Sequence, residues 1–425
     1  MPGAGEKQVG FREALRFWMK LGFISFGGPA GQISIMHREL VERRKWVSES
    51  QFLRSLNFCM LLPGPEAQQL ATYIGWRMHG TLGGLVAGSF FIIPSIFVLL
   101  ALSFIAVAYS DVPAVTGLLY GVQPVVVAVV LGAVLKIGHR ALGHPALVAF
   151  AVASFVAIYF LSVPFPLVMG LAALGGVLLH VRFPEVFRSQ SESVTEGEES
   201  FRRPSMLRNF RLLAVFVVLW IVPVGGLYLW RGPDDVLLDQ ALFFTGAAFV
   251  TFGGAYSVLT YISEAAVNGY GWLSADQMVQ GLGLAESTPG PLIMVTQYVG
   301  FLGAWKFNGP FEPLVYGTLG ALTTTYVTFL PCFLFIFLLA PYVESLSHNR
   351  RLGAALTGVT AAVVGVIANL AVFFGGRVLF PDGLDFFALA LAGVAFVLIR
   401  RFDTPIFVLI PAGALAGMVW TLLFL

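Results

Sequence analysis

Residues 62–76 read LPGPEAQQLATYIGW, a proline–glycine–proline break followed by a glutamate and two glutamines within an apolar region. A second break of this kind lies in STPGPLIMVTQYVG, residues 287–300. Pro63-Gly64-Pro65 and Pro289-Gly290-Pro291 are 226 positions apart, and Phe26-Gly27-Gly28 and Phe252-Gly253-Gly254 share that spacing, as do Trp46 and Trp272. Motifs that keep one spacing over this distance indicate two homologous halves in one chain.

The composition is that of a membrane protein. Of the 425 residues, 57% are hydrophobic and 11% are charged, whereas soluble domains carry about 25% charged residues. A membrane-spanning helix needs about 20 apolar residues. Runs close to this length are Thr81–Tyr109, Ala114–Leu135, His144–Leu161, Pro164–Leu179, Leu212–Trp230, Val315–Val343, Leu352–Phe374, Leu384–Ile399 and Thr404–Leu425. The sequence therefore predicts an all-α polytopic membrane protein.

The same counts narrow the possible chemistry. Two cysteines, six scattered histidines and a net charge of +2 predict no disulfide framework, no metal site, no cofactor and no nucleic-acid partner. No Ser–His pair at plausible spacing or nucleotide-binding loop is present either, so we expect no catalytic residue and no enzyme activity. An intramembrane enzyme remains the alternative from another class.

Charge divides the chain into parts. Residues 182–211 contain 11 charged residues in 30 positions, which predicts a polar linker between the halves. We therefore expect a first repeat over residues 1–181, a charged cytoplasmic linker over 182–211, a connecting transmembrane helix over 212–240 and a second repeat over 241–425. Because one helix crosses alone between the repeats, the second half has inverted topology.

Basic residues orient the chain. The loop of residues 37–54 carries Arg38, Arg43, Arg44, Lys45 and Arg54, and cytoplasmic loops are enriched in such bases. The loop reaches the cytoplasmic side when the neighbouring Phe-Gly-Gly and Pro-Gly-Pro regions enter the membrane and return. The matching loop, residues 263–277, has no lysine or arginine and would lie outside. We therefore expect interrupted, re-entrant helices around both motifs, with the N-terminus and linker in the cytoplasm.

The breaks predict a binding site. Inverted repeats with broken helices are typical of transporters, and the helix starts present unpaired N–H groups that favour anions. Inversion would direct four such starts toward one centre, although many glycine–proline kinks in membrane helices only serve packing. The expected substrate-binding residues are Gly27, Gly28, Gln32, Gly64, Pro65, Gln68, Gln69, Gly253, Gly254, Ser287, Thr288, Gly290 and Pro291.

Three charged residues near the breaks have expected roles in gating or coupling. Glu66 follows the first break and Glu286 precedes the second. Either could carry a proton or cap a helix, since intramembrane ionisable groups are costly and usually functional. Arg77 could attract anions or anchor its helix at the membrane interface.

These motifs resemble the chromate ion transporter (CHR) family in its long, two-domain form. Residues 26–32, FGGPAGQ, and residues 62–76 carry the resemblance, together with Phe252-Gly253-Gly254 and residues 287–291. It implies an antiporter of the bacterial inner membrane that exports chromate at the expense of the proton motive force and confers chromate resistance. It also implies functional roles for Glu66, Gln68, Gln69 and Arg77.

The second half departs from the first. Leu292 stands in place of the glutamate, and Met294 and Val295 replace the glutamines. The alternatives within transport are a sulfate or other anion transporter, or a passive anion pathway. We expect the partners to be the anion, chromate or sulfate, and the lipid bilayer, with a homodimer left open.

Overall fold

The computed structural model describes residues 9–183, 205–343 and 349–424. These residues form helices, turns and loops and contain no strand, which confirms the all-α prediction. Seven of the described helices are long and apolar enough to cross a membrane. Most of the predicted linker, residues 184–204, lies outside the described residues.

The helices form two groups when the chain is divided as the sequence predicts, with one helix between them. The first half contains α1 (Phe11–Ile24), α2 (Gly28–His37), α3 (Glu49–Met60), α4 (Glu66–Ala108), α5 (Pro113–Ala141), α6 (Pro145–Tyr159) and α7 (Phe165–Arg182). Between the halves lies α8 (Met206–Arg231). The second half contains α9 (Val236–Val250), α10 (Ala255–Ser263), α11 (Ala275–Ser287), α12 (Val295–Lys306), α13 (Pro313–Leu339), α14 (Arg350–Leu379), α15 (Phe386–Phe402) and α16 (Ile406–Phe424).

Helix α8 differs in extent from the connecting segment drawn at residues 212–240. It starts earlier because Ser205 caps it and the Arg208 guanidinium donates to the carbonyl oxygen of Phe337, so polar residues are included in its first turns. It ends at Arg231, and α9 begins at Val236. Hydropathy alone could not place either end.

The repeat is visible in local structure. A π-helical turn at Arg38–Arg43 corresponds to one at Glu264–Gly269. The first residues of the two turns are 226 positions apart, and so are the last residues. The Ser48 capping box at the start of α3 corresponds to the Ser274 capping box at the start of α11. The two halves thus fold the same way through the region that contains the motifs.

The helices next to the breaks are short. Helices α1, α2 and α3 have 14, 10 and 12 residues, and α9, α10, α11 and α12 have 15, 9, 13 and 12. At 1.5 Å per residue none reaches the roughly 30 Å thickness of the hydrocarbon core. Helix α4 is itself divided by non-helical dihedral angles at His79 and Gly80 into a first arm, residues 66–78, and a second arm, residues 81–108.

Long helices of one half pack on long helices of the other. Helix α16 lies along α5, and α7 lies along α14. Glycine allows both approaches: a Cβ at Gly121 would lie 2.1 Å from the carbonyl oxygen of Gly413, and a Cβ at Gly358 would lie 2.4 Å from that of Ala172. Small residues at such crossings let membrane helices pack backbone to backbone. The two halves are therefore interleaved through these last helices.

Candidate functional site

The break motifs of the two halves meet each other. The Gly64 N–H donates to the carbonyl oxygen of Thr251 (2.8 Å), and the Gly290 N–H donates to that of Ser25 (2.9 Å). Thr251 and Ser25 directly precede the two Phe-Gly-Gly motifs. Each Pro-Gly-Pro motif thus contacts the Phe-Gly-Gly motif of the opposite half, so the structure brings together the backbone segments that the sequence singled out.

Glycine is required at the centre of both proline motifs. Gly64 has φ +123° and Gly290 has φ +111°, where side-chain-bearing residues are strained. A Cβ at Gly64 would lie 2.7 Å from Gln69 Nε2, and a Cβ at Gly290 would lie 2.7 Å from the Cβ of Ser95. Both the backbone conformation and the close packing therefore exclude larger residues.

Four helical segments begin at these motifs. Helix α2 begins after Gly27 and α10 after Gly254, while α4 begins after Pro65 and a 3₁₀ turn, Leu292–Met294, begins after Pro291. Within the described residues, none of the four has a side-chain cap. The first N–H groups of any helix have no intrahelical acceptor, and at these four starts they have no side-chain acceptor among the described residues either.

Pro65 and Pro291 lie one position before the first helical residue of their segments. Pro65 and Pro291 have ψ of 107° and 139°, which is extended, so they cap the helical segments from outside. Pro29 does lie within the first two positions of α2.

The three predicted glutamines use their amide N–H groups on the protein itself. Gln32 Nε2 donates to the carbonyl oxygens of Gly290 and Ser25, and Gln69 Nε2 donates to that of Pro63 (2.7 Å). Gln68 Nε2 donates to Thr72 Oγ1 (3.1 Å). All three side chains are buried. In this conformation Gln32 and Gln69 satisfy carbonyl groups that the breaks would otherwise leave unpaired.

The predicted hydroxyl groups of the second half also bond locally. Ser287 Oγ donates to the carbonyl oxygen of Leu284 (2.9 Å), and Thr288 Oγ1 donates to that of Ala285 (3.0 Å). Both residues lie beside the break, where they complete the last turn of α11. These hydroxyl groups can donate to an anion only after they release their present carbonyl acceptors.

The two glutamates lie at helix starts of the opposite halves. Glu286 is 2% exposed, and its Oε2 would lie 3.5 Å from a Cβ at Gly28, the first residue of α2. Glu66 Oε1 would lie 3.4 Å from a Cβ at Gly254, the residue before α10. Within the described part of the chain, neither carboxylate forms an ion pair with a lysine or arginine.

Tyr256 was not identified from the sequence, although it belongs to this cluster. Its hydroxyl donates a hydrogen bond to Glu286 Oε1. Glu286 Oε2 has no hydrogen-bond partner among the described residues. The first turn of α10 therefore meets both carboxylates, Glu66 at Gly254 and Glu286 at Tyr256.

Ser95 and Cys332 were also missed as neighbours of the breaks. Ser95 packs on Gly290, and Cys332 Sγ would lie 3.0 Å from a Cβ at Gly64. Ser95 follows Pro94 and Cys332 follows Pro331, and these two prolines are 237 positions apart in the repeat. That spacing is the sequence signal from which both residues could have been predicted.

Arg77 lies apart from this cluster. It is eleven residues beyond Glu66 on the first arm of α4, a distance of about 16 Å along the helix axis. The side chain is half-buried. The structure therefore places Arg77 at the far end of the arm that Glu66 begins.

Gly64 and Gly290 at the centres of the Pro-Gly-Pro motifs are buried, whereas the Phe-Gly-Gly motifs are half-buried. A cavity of about 670 Å³ lies elsewhere, between α4, α8 and α13, with a mostly apolar lining that includes Ile92, Val224, Leu227 and Phe329. Among the described residues, no group of three or more histidine, cysteine, aspartate or glutamate side chains could hold a metal ion. The motif cluster instead offers helix-start N–H groups and two carboxylates.

Comparison with known proteins agrees with this architecture. The model of the family described as "Chromate transporter" matches residues 12–177 and 238–418, and thus parts of both halves. The chain belongs to the chromate transporter family. The match omits residues 178–237, which include the linker and α8 between the two halves of this chromate transporter family member.

Relatives cover almost the whole chain. A chromate transport protein of Pseudomonas aeruginosa is 32% identical over 94% of this chain and 90% of its own length. A probable chromate transport protein of Synechococcus elongatus is 28% identical over 96% of this chain and 95% of its own. A chromate transport protein of Cupriavidus metallidurans is 28% identical over 96% and 92%. No solved structure matches the chain.

Proposed function

We propose that this chromate transporter family member is a secondary active transporter that exports chromate across the bacterial inner membrane and confers chromate resistance. The observation that carries the proposal is the pair of hydrogen bonds between halves, Gly64 to Thr251 and Gly290 to Ser25. These hydrogen bonds join broken backbone segments of the two halves, which supports a site at the boundary between them. Movement of one half against the other would open and close this boundary, as alternating access requires.

The type of site supports an oxyanion as substrate. Helix starts present N–H donors and the positive end of the helix dipole; three helices begin at the motifs, and a 3₁₀ turn that leads into α12 begins at the fourth. Chromate is a tetrahedral dianion whose four oxygens can each accept such donors. The backbone at Gly27, Gly28, Gly64, Pro65, Gly253, Gly254, Gly290 and Pro291 would surround the ion, and Gln32, Gln68, Gln69, Ser287 and Thr288 would join after exchanging their present partners.

Energetics favour export. One elementary charge moved through 100 mV is worth about 2.3 kcal/mol, so a dianion leaving a negative interior gains about twice that amount. We assign Glu66 and Glu286 to coupling with protons, which makes the protein an antiporter, and Arg77 to steering the anion toward the first arm of α4. In this proposal the halves have inverted topology, and the N-terminus and linker lie in the cytoplasm.

Flux measurements test this function. The full-length protein would be reconstituted into liposomes, and labelled chromate accumulation would be followed under an imposed pH gradient and, separately, under an imposed membrane potential. We expect both gradients to drive chromate flux. Glu66→Gln should lower the pH-driven component roughly tenfold, because an intramembrane carboxylate on a transport pathway is functional.

Glu264→Gln provides the matched control. Glu264 is exposed, and its carboxylate accepts a hydrogen bond from Asn268 on the π-helical turn after α10, away from the breaks. This variant should transport like the wild type. Sulfate flux without chromate flux would replace the proposal with a sulfate transporter, and chromate flux that ignores the pH gradient would replace it with a passive anion pathway.

A further inference from the structure

Two carboxylates occupy the places that the proposed function gives to the substrate. We propose that Glu66 and Glu286 act as tethered anions, each held at a helix start of the opposite half, and that oxyanion binding displaces them with uptake of two protons. This inference rests on the proposed function. It adds that the substrate and the two carboxylates occupy the same helix starts in turn.

Geometry carries the first step. Glu286 Oε2 is buried, has no hydrogen-bond partner among the described residues, and faces the first residue of α2 at Gly28. Glu66 Oε1 faces the corresponding start of α10 at Gly254. A helix start without a side-chain cap is a site for negative charge, and here the opposite half supplies that charge.

Charge balance carries the second step. The two ionised carboxylates place two negative charges at the breaks, and a dianion would bring two more into a buried site. Like charges in a region of low dielectric repel strongly. When each carboxylate gains one proton and turns away, the dianion restores the original charge of −2. The exchange therefore joins one dianion to two protons.

The neighbouring groups cannot replace the glutamates in this exchange. Among the described residues, the Tyr256 hydroxyl on α10 bonds Glu286 and the Cys59 thiol on α3 lies near Glu66. The Cys332 thiol on α13 lies beside Gly64. Phenols and thiols are neutral below about pH 8, so their charge is constant where carboxylates in proteins change theirs. No histidine, lysine or arginine among the described residues pairs with either glutamate.

The sign of the linkage follows. Because the anion binds to the form with both carboxylates protonated, its affinity rises as the pH falls. With two protons taken up, the dissociation constant should change by up to about 100-fold per pH unit where both carboxylates are ionised in the empty protein. The linkage concerns binding, and for the antiport proposed above the two protons must enter from the side of the membrane opposite to the side from which the anion binds.

Binding of sulfate to the purified full-length protein in detergent tests the inference, because sulfate keeps both charges across the pH range and chromate does not. The wild type should show the two-proton dependence and take up two protons per sulfate in weakly buffered solution. Glu66→Gln and Glu286→Gln should each reduce this to one proton, about tenfold per pH unit. The double variant should bind sulfate with the same affinity at every pH, and Glu264→Gln should match the wild type.

Tyr256→Phe is a second variant that tests the position of Glu286. Loss of the hydroxyl donor makes the ionised carboxylate less favourable, so the binding curve should move to higher pH while two protons are still taken up. A purely structural role for Tyr256 would weaken sulfate binding equally at every pH.

Two results would overturn the inference while leaving the proposed function intact. One is a well-folded double variant that transports chromate but keeps the proton uptake of the wild type. The other is loss of sulfate binding at every pH in both single variants, since the carboxylates would then be needed for binding instead of being displaced. Absence of sulfate and chromate binding from the wild type at all pH values would reject the proposed function itself.

Discussion

At the scale of single residues, Gln32 shows how a buried amide supports a broken helix. Its Nε2 bonds two carbonyl oxygens, those of Ser25 in its own half and Gly290 in the other. Sequence identified Gln32 as a candidate because a polar side chain stood in an apolar region. The acceptors could not be predicted, since one of them lies 258 positions away and is reached only through the fold.

We expect Gln32→Met to destabilise the protein without substrate. The change roughly keeps the volume of the side chain and leaves the Gly290 carbonyl oxygen without this donor, at a cost of about 1–3 kcal/mol. The Ser25 carbonyl oxygen still accepts from the Gly290 N–H. Thermal unfolding in detergent would measure the effect. Gln68→Met is the matched control, because the Gln68 amide donates to the hydroxyl of Thr72 and should cost less. Unchanged stability together with lost anion affinity would instead identify Gln32 as a direct ligand.

At the scale of helices, apolar runs located most elements and missed their polar ends. The stretches near Pro164 and Pro405 each form two helices, α6 and α7 at the first and α15 and α16 at the second. The 226 spacing predicted matching breaks. The packing of α7 on α14 and of α16 on α5 could not be predicted from the sequence. Small residues on a membrane helix fit many possible partner helices.

The helix crossing at Gly358 makes a sharp prediction. A Cβ at Gly358 would lie 2.4 Å from the carbonyl oxygen of Ala172, so Gly358→Ala must push α14 and α7 apart. We expect a clear fall in melting temperature and in chromate flux. Gly353→Ala on the same helix is the control, because a Cβ there meets no heavy atom within 4 Å. Alanine should be neutral or stabilising at that position by up to about 1 kcal/mol, and equal melting temperatures for the two variants would refute the crossing.

At the scale of the whole molecule, the repeat was predictable and its relation to the membrane was only inferred. Equal spacing of motifs predicts two copies from sequence alone, and the π-helical turns and capping boxes recur at the same spacing of 226 positions. Inversion rests on the distribution of basic residues around the breaks. It therefore stays a prediction that labelling from each side can decide.

Glu42 and Asn268 are well placed for that measurement. They are 226 positions apart, both exposed, and both on a π-helical turn. With inverted halves, a membrane-impermeant thiol reagent should label Glu42→Cys from the cytoplasmic side and Asn268→Cys from the outside. The native Cys59 and Cys332 are buried and give a low background. Labelling of both positions from one side would show that the halves run parallel.

Helix α7 of the first half packs on α14 of the second, and α16 of the second half packs on α5 of the first. This packing bears on how such a chain arose. A lone half would expose the glycine-lined face of its central helix and would have no opposite motif to satisfy its own break. A single copy would therefore need a second subunit to cover that face and to complete its break. After duplication and fusion, a mutation in one copy no longer changed the other copy. The acidic residue could then lie after the break in one half, as Glu66 does, and before the break in the other, as Glu286 does.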